Sequence, residues 1–169
     1  MMFKIFCGLI YNKEEIYQKA ISLLKEKFGK IDIETSAIPF DFTDYYQEEM
    51  GKDLKRGFIS FISLQSPENS YKWKVLTIAI EKQLSLSGLR QINIDPGYIT
   101  LSKVVLFSTK NYYHRIYLGE GVFAEVTLRW HNKQYEIFPW TYPDYKTDFA
   151  KNFFTEMRKI YSIQIKVHL

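Results

Sequence analysis

The hydrophobic pattern of the chain begins with a segment that is apolar on both alternating faces. Residues 1–11 read MMFKIFCGLIY, and apolar side chains fill consecutive positions, as they do in a central strand that is buried on both sides. Ile16, Ala20, Leu23 and Phe28 then follow at helical spacing. This pattern predicts a buried strand followed by an amphipathic helix.

Further strands and a second helix follow in the first half of the sequence. KIDIETSAIPF and KRGFISFISL have strand patterns, and an apolar stripe from Trp73 to Leu84 predicts the next helix. RQINID supplies one more strand, which completes the order of a split βαβ, or ferredoxin-like, unit. We therefore expect the strands of residues 3–10, 55–64 and 89–94 to be neighbours in one sheet, with both helices on the same face.

The second half of the sequence changes to short strands in succession. TLSKVVLFSTK, RIYL, GVFAEVTLRW and KQYEIF are separated by short turns, which predicts that a mostly antiparallel sheet extends the first half. The DPG tripeptide at residues 95–97 is typical of a type II turn before these strands. Apolar residues from Phe149 to Ile160 predict a C-terminal helix that starts near Thr147. Without a repeat or linker, the pattern predicts a single α+β domain over residues 1–169.

Composition narrows the class of protein. The 169 residues are 46% apolar and 25% charged, as in globular domains, and the 17% of aromatic residues favour a sheet-rich core. The net charge of +4 is compatible with a phosphate-bearing partner. Cys7 is the single cysteine, so an internal disulfide cannot form and a reducing compartment is expected. The sequence lacks a signal-peptide pattern and an apolar stretch near the ~20 residues of a membrane span, which predicts a cytoplasmic protein without a membrane partner.

A long polar and aromatic connection joins two of the predicted strands. This connection, PFDFTDYYQEEMG at residues 39–51, contains Asp41, Tyr46 and Glu49. It could be a surface loop whose polar side chains bond to their own backbone. Long connections are also common places for binding, and on that reading these three residues line a ligand pocket.

Positive charge is densest in the segment STKNYYHR, residues 108–115. Arg115 can bind a phosphate or carboxylate through two parallel hydrogen bonds, and Lys110 adds a point charge. Arg56 and Arg90 would join them if their strand ends converge on this segment. These four cations are our candidates for phosphate binding.

Three residues are candidates for proton transfer. The imidazole of His114 ordinarily titrates near neutrality, and Asp95 and Glu125 could serve as a base or as ligands of a divalent cation such as Mg²⁺ held with a phosphate. Structural roles remain open for all three, including a buried salt bridge between Glu125 and Arg115. Asp144 precedes the last predicted helix, where it could cap that helix or line the pocket.

Several familiar signatures are absent from the sequence. It contains no GxxxxGK[ST] phosphate loop, no GxGxxG fingerprint, and neither HExxH nor GxSxG. NKQY at residues 132–135 has Tyr135 where the guanine-reading NKxD motif has an acid. The single cysteine and three histidines are too dispersed for a zinc site. A classical GTPase and a zinc enzyme are therefore not indicated by motifs.

The chain resembles the domain-of-unknown-function family numbered 4416, a family of short bacterial and archaeal proteins. The segments that carry this resemblance are PFDFTDYYQEEMG, INIDPGYITLSKVVLFSTKNYYHRIYL, GVFAEVTL and WTYPDY, and they span nearly the whole sequence. The family's motif positions coincide with candidate residues in all these segments. Some members are labelled GTP-binding proteins, so the resemblance implies nucleotide binding.

Taken with the cation cluster, these observations predict a protein that binds a nucleotide or another phosphate-bearing small molecule in a cleft of cations and carboxylates. Catalysis in that cleft is left open. The alternatives are a non-catalytic RNA-binding module, for which a ferredoxin-like sheet with aromatic and basic residues is suited, and an interaction scaffold with an exposed apolar patch.

Overall fold

A computed structural model describes residues 1–167, which form one α+β unit built on a nine-stranded sheet. The elements are β1 (Phe3–Tyr11), α1 (Glu14–Phe28), β2 (Ile31–Glu34), β3 (Ile38–Pro39), α2 (Gln47–Met50), β4 (Lys55–Gln65), α3 (Lys72–Gln83), β5 (Ile92–Ile99), β6 (Lys103–Ser108), β7 (Ile116–Gly119), β8 (Val122–His131), β9 (Gln134–Ile137), a 3-10 turn (Pro143–Lys146) and α4 (Asp148–Val167). The strand order is β2-β4-β1-β5-β6-β8-β7, with β3 beside β4 and β9 beside β8. The strand pairs of this sheet are antiparallel.

The first half of the sheet has the predicted ferredoxin-like arrangement. β1 lies between β4 and β5, and β2 lies outside β4. Helices α1 and α3 pack together on one face of these strands, in a single apolar cluster. The expectation that residues 3–10, 55–64 and 89–94 are neighbours under two helices on the same face is therefore confirmed.

The continuous apolar pattern of β1 is explained by helices on both faces of the sheet. Ile5, Cys7 and Leu9 belong to the cluster with α1 and α3. Phe6 points to the other face, where it packs with Phe58 and with side chains of α4. A strand at the centre of three layers buries both sets of alternating side chains, so both sets are apolar apart from Lys4, whose buried ammonium group pairs with Asp32.

Helix α4 begins where the sequence pattern places it. Thr147 Oγ1 accepts the Ala150 N–H at 3.2 Å and so caps the first turn. Asp144 does not cap this helix, because its side chain turns away to pair with Arg56. Within residues 1–167 no helix, α4 included, combines the length and the apolar character needed to cross a membrane.

The DPG tripeptide is not the predicted turn. Residues 95–97 lie inside β5, where Asp95 and Pro96 face Gly8 and Cys7 of β1 in an antiparallel ladder. Gly97 is required there for a close approach, because a Cβ on it would lie 2.3 Å from the Val105 carbonyl oxygen and 2.5 Å from Phe6 Cζ. Strand pairing and packing thus override the turn preference of the Pro-Gly pair.

Alanine at Gly97 tests this close approach. We expect Gly97→Ala to lower the free energy of unfolding by about 1–3 kcal/mol, because a backbone oxygen and a buried ring must move to admit the methyl group. Gly57→Ala is the matched control, since Gly57 is also a strand glycine but its added Cβ would meet its nearest neighbour at 3.8 Å. Urea denaturation of the two variants should separate them, and equal stabilities would show that Gly97 is not sterically constrained.

The sheet divides between β5 and β6. The two strands pair only where Gly97–Ile99 faces Val104–Leu106. In the preceding part of β5, side chains of α3 instead hydrogen-bond to the strand backbone. The Ile94 N–H donates to Glu81 Oε1 at 2.6 Å, and Lys74 Nζ donates to the Ile94 carbonyl oxygen at 3.1 Å. Two helix side chains thus take the place of a neighbouring strand, which leaves an opening between β5 and the end of β6.

Candidate functional site

A cavity of about 550 Å³ occupies the opening between β5 and β6. Its walls come from β4, β5, the end of β6, helix α3, the loop before α2 and the 3-10 turn. We refer to it as the β5–β6 cavity. It brings together six of the eleven residues predicted for the site: Tyr46, Arg56, Arg90, Asp95, Lys110 and Asp144.

Arg56 and Asp144 form a buried ion pair in the wall of this cavity. Arg56 Nε donates to Asp144 Oδ2 at 2.8 Å, and Nη2 donates to the same oxygen. Burial alone would lower the pKa of Arg56, but the carboxylate of Asp144, with that of Asp95, holds it above its ordinary value. The guanidinium therefore stays charged in the wall.

Two buried polar atoms beside this pair have no hydrogen-bond partner. They are Arg56 Nη1 and the hydroxyl of Tyr145. Gly8 leaves the space next to them, because a Cβ on Gly8 would lie 2.9 Å from each atom. Unpaired buried donors are rare in folded proteins and cost free energy when they remain unbonded.

A second set of hydrogen bonds links polar side chains of β5, Asn93 and Asp95, to charged residues around them. Asp95 accepts from Lys74 Nζ at 3.0 Å and from Asn93 Nδ2 at 2.7 Å. Asn93 in turn accepts from Arg90, which forms a forked ion pair with Glu49. Burial would raise the pKa of Asp95, but Lys74 and then Arg56 lower it below its usual range. Asp95 is thus held as a carboxylate by cations on two sides.

Helix α3 contributes a carboxylate that is only partly engaged. Glu81 lines the cavity and accepts the Ile94 N–H through Oε1. Its Oε2 lies 3.9 Å from Arg90 Nη1, which is beyond a hydrogen bond. Burial raises the pKa of Glu81 to about 6, against the opposing charge of Lys74. Glu81 is therefore ionised near neutral pH and titrates just below it.

The mouth of the cavity is aromatic and carries an uncommitted cation. Tyr45, Tyr46, Phe107 and Tyr142 contribute rings to the lining. Lys110 is exposed, and its Nζ lies 4.1 Å from the centre of the Tyr45 ring. Among the described residues, Lys110 is the one lining cation that has no carboxylate partner.

Arg115 lies behind the wall and holds it together. Its Nη1 donates to Ser108 Oγ at 3.0 Å and to the Lys110 carbonyl oxygen at 2.8 Å, and its Nη2 donates to the Tyr142 hydroxyl at 2.8 Å. These three partners line the cavity, whereas Arg115 does not. The fourth donor, Nε, binds Glu125 Oε2 at 2.7 Å. This geometry fits the structural alternative for the Arg115–Glu125 pair.

His114 is part of the same network. Its Nε2 lies 2.8 Å from Glu125 Oε2, and its ring stacks on Trp140 with centres 4.9 Å apart. Trp140 also donates to the Val126 carbonyl oxygen, so it closes the edge of β8 between β7 and β9. The roles in proton transfer predicted for His114 and Glu125 stay predictions, and both residues lie outside the cavity lining.

The other two predicted pocket residues lie outside the lining as well. Asp41 is exposed in the loop before α2. Glu49 braces Arg90 from behind, and this contact with Arg90 lowers the pKa of Glu49. Within residues 1–167 no group of three or more His, Cys, Asp or Glu side chains is arranged to hold a metal ion. A divalent cation held together with a phosphate stays a prediction.

Sequence reasoning missed Lys74, Glu81 and Asn93, which all line the cavity. A signal for them was present. Lys74 and Glu81 are seven residues apart and so lie on one face of α3, and Asn93 alternates with the apolar residues of β5. Polar groups on a face that must pack against the sheet indicate a polar interior site.

A second groove of about 710 Å³ lies at the edge of the sheet beside β2 and β3. It contains none of the predicted site residues. Tyr17 and Glu34 in its lining hydrogen-bond to each other at 2.6 Å. The β5–β6 cavity holds six of the predicted site residues and a lysine, Lys110, with no carboxylate partner among the described residues, and it is therefore the stronger candidate for a functional site.

Comparison with known proteins gives a family match. The family model described as "Domain of unknown function (DUF4416)" matches residues 1–161. No curated protein and no solved structure matches the chain. The matched region contains the residues that line the β5–β6 cavity.

Proposed function

The chain belongs to the DUF4416 family, whose description names no activity, and we propose from the geometry of the β5–β6 cavity that the protein binds a phosphate-bearing small molecule such as a nucleotide. The observation that carries this proposal is Lys110, the one lining cation among the described residues without a carboxylate partner, which lies at the mouth of a cavity whose inner wall holds the Arg56 guanidinium. A phosphate oxygen is a strong acceptor for such a charged donor.

The charges of the cavity support an anionic group at one end of the ligand. Lys74 and Arg90 are committed to carboxylates, and most of Arg56 is committed to Asp144. Lys110 is available at the mouth, and its position over Tyr45 keeps it there. Arg56 from inside and Lys110 from the mouth can therefore both contribute to binding a phosphate.

The size and the rings of the cavity support a ligand that is larger than a phosphate ion. A volume of about 550 Å³ falls in the range of small-molecule sites. Tyr45 and Tyr142 are partly exposed at the mouth and offer flat surfaces to a planar or ring-containing group. A nucleotide combines such a group with a phosphate.

The two alternatives have less support. An RNA-binding ferredoxin-like sheet needs an open face with aromatic residues, whereas here α1 and α3 cover one face and α4 covers the other. Exposed Tyr113, Ile116 and Tyr117 beside and on β7 are the observation that favours an interaction surface. They lie outside the cavity lining and do not compete with a ligand there.

Substitution of Lys110 tests the proposal. We expect Lys110→Gln to weaken binding of the best ligand in a panel of nucleotides and inorganic pyrophosphate by about tenfold, because one charge-assisted contact is lost. The melting temperature of the unliganded protein should hardly change, since an exposed substitution usually moves stability by about 0.5 kcal/mol or less. Lys159→Gln, an exposed lysine on α4, is the matched control.

Isothermal titration calorimetry measures both affinities. Equal affinity of the Lys110→Gln variant and the wild-type protein would remove Lys110 from the site. If no member of the panel binds while single-stranded RNA binds at micromolar order, the RNA-binding alternative replaces the proposal.

A further inference from the structure

Glu81 gives the cavity a hydrogen-bond acceptor in addition to its cations. Its Oε1 is fixed by the Ile94 N–H, so the carboxylate cannot turn freely. Its Oε2 accepts no hydrogen bond from the described residues. This oxygen is also not fully enclosed by protein atoms, unlike the unpaired atoms Arg56 Nη1 and the Tyr145 hydroxyl. Because Glu81 lines the cavity, this free oxygen has access to its contents.

The face of α3 that lines the cavity also positions this oxygen. Lys74, Ile78 and Glu81 follow one another at helical spacing along it. Lys74 already donates to Asp95 and to the Ile94 carbonyl oxygen. The apolar Ile78 separates it from Glu81, so the free acceptor at that end of the face is Glu81 Oε2.

Glu81 differs from the two aspartates of the cavity in how fully its charge is used. Both oxygens of Asp95 accept hydrogen bonds. Asp144 Oδ2 accepts from two nitrogens of Arg56, so its charge is paired, although Asp144 Oδ1 accepts no hydrogen bond from the described residues. The nearest guanidinium nitrogen to Glu81 Oε2 is 3.9 Å away. An ionised carboxylate is only an acceptor, and it repels an anionic group brought against it.

Building on the proposed function, we propose that the cavity selects phosphate-bearing small molecules that also carry an N–H donor, an amine or the amino group of a base, which Glu81 Oε2 accepts. The phosphate lies toward Arg56 and Lys110, and the donor lies toward α3. A phosphate ester that has a hydrogen atom in place of the amino group loses this contact, and one that has a hydroxyl group keeps a neutral hydrogen bond but loses the charge of an amine.

Matched pairs of ligands test this selectivity. Adenosine monophosphate and purine riboside monophosphate differ in that an amino group replaces a hydrogen atom, and glucosamine 6-phosphate and glucose 6-phosphate differ in that a charged amine replaces a neutral hydroxyl group. We expect the aminated member of at least one pair to bind about tenfold more tightly, as for a hydrogen bond to a charged group. The pair that responds distinguishes a base from an amino sugar.

Glu81→Gln identifies the residue responsible. Its amide oxygen can still accept the Ile94 N–H, but its amide nitrogen then faces the ligand as a donor. The preference for the aminated member should therefore disappear or reverse, while the Glu26→Gln variant, altered at an exposed glutamate of α1, should keep it. Circular dichroism melting checks that both variants fold.

The pH dependence of the ligand preference gives an independent readout. Lys74, Arg90 and Asp95 are the charged groups that act on Glu81, and its pKa is about 6. The preference for glucosamine 6-phosphate should shrink below about pH 6, as the carboxylate is protonated. Titration of the phosphate cancels, because both members of the pair carry it.

The outcomes separate the two proposals. If neither pair, nor the nucleotide panel, nor pyrophosphate binds, the proposed function fails. If both members of each pair bind equally, and Glu81→Gln changes neither, phosphate binding stands and the selectivity by Glu81 is wrong. If the preference persists in Glu81→Gln, another residue reads the amine, and the role given to Glu81 is overturned.

Discussion

Arg115→Ala is expected to lower the free energy of unfolding by about 3–5 kcal/mol, the cost of leaving a buried charge without its partner. Only 2% of the Arg115 side chain and 1% of the Glu125 side chain are exposed. Removal of the guanidinium leaves the Glu125 carboxylate with His114 and Thr127 as its remaining partners. It also releases the Tyr142 hydroxyl and the Lys110 carbonyl oxygen. Urea denaturation of the unliganded protein measures the loss.

The protein contains an exposed copy of the same grouping, which serves as the control. Arg129 Nε lies 2.7 Å from Glu136 Oε2, and His131 lies 2.9 Å from the other carboxylate oxygen. The exposed fraction is 56% for Arg129 and 26% for Glu136. Arg129→Ala should therefore cost less than about 1 kcal/mol, although the chemical groups and the distance are the same.

A second substitution decides between structural and functional roles for Arg115. Adding Glu125→Gln to Arg115→Ala should restore part of the lost stability, because the stranded charge is removed. If Arg115→Ala instead leaves unfolding unchanged and abolishes the response to phosphate ligands, Arg115 contacts the anion directly. The hypothesis made from the sequence would then replace the structural reading.

Arg56→Met should have an effect of similar size, about 3–5 kcal/mol, since Asp144 would remain buried without its cation. A double substitution, Arg56→Met with Asp144→Leu, should recover most of this loss, because two apolar side chains of similar volume replace an ion pair. Both variants should lose phosphate binding, since the Arg56 guanidinium is absent from each. Denaturation and calorimetry together separate these effects.

Arg158→Met is the control for the aromatic contacts of Arg56. The Arg56 guanidinium lies 5.1 Å from the Phe58 ring centre, and the Arg158 guanidinium lies 4.2 Å from that of Trp130. Arg158 has no carboxylate partner among the described residues. A small loss for Arg158→Met, on the order of 1 kcal/mol, would assign the larger loss at Arg56 to the stranded Asp144. Equal losses would contradict that assignment.

Much of the fold follows from local patterns in the sequence. The period of two in the strands and the helical stripes of α1 and α3 report which faces are buried, and short connections leave few ways to join them. The split βαβ unit was predictable for this reason. The end of β5 was not, because the Pro96-Gly97 pair favours a turn locally, and only its distant neighbours on β1 and β6 hold it extended.

The site was predictable in part, for a similar reason. Cations and carboxylates at strand ends were expected to converge, and Arg56, Arg90, Lys110 and Asp95 do meet in the β5–β6 cavity. For Asp144 the sequence left open a helix cap or a place in the pocket lining; the side chain lines the cavity, and its partner Arg56 is 88 positions away in the sequence. Local propensity carries no information about such a partner, nor about where two strands of a sheet separate.

The position of α4 has a consequence for the order in which the chain folds. Phe6 and Phe58 of the central strands are covered on one face by α4, and Tyr161 of this helix donates to the Met2 carbonyl oxygen at 2.8 Å. During synthesis on the ribosome, this apolar face of the first half of the sheet therefore stays uncovered until α4 emerges. Asp144, just before α4, arrives at the same late stage, so the nascent chain completes the β5–β6 cavity together with its hydrophobic core.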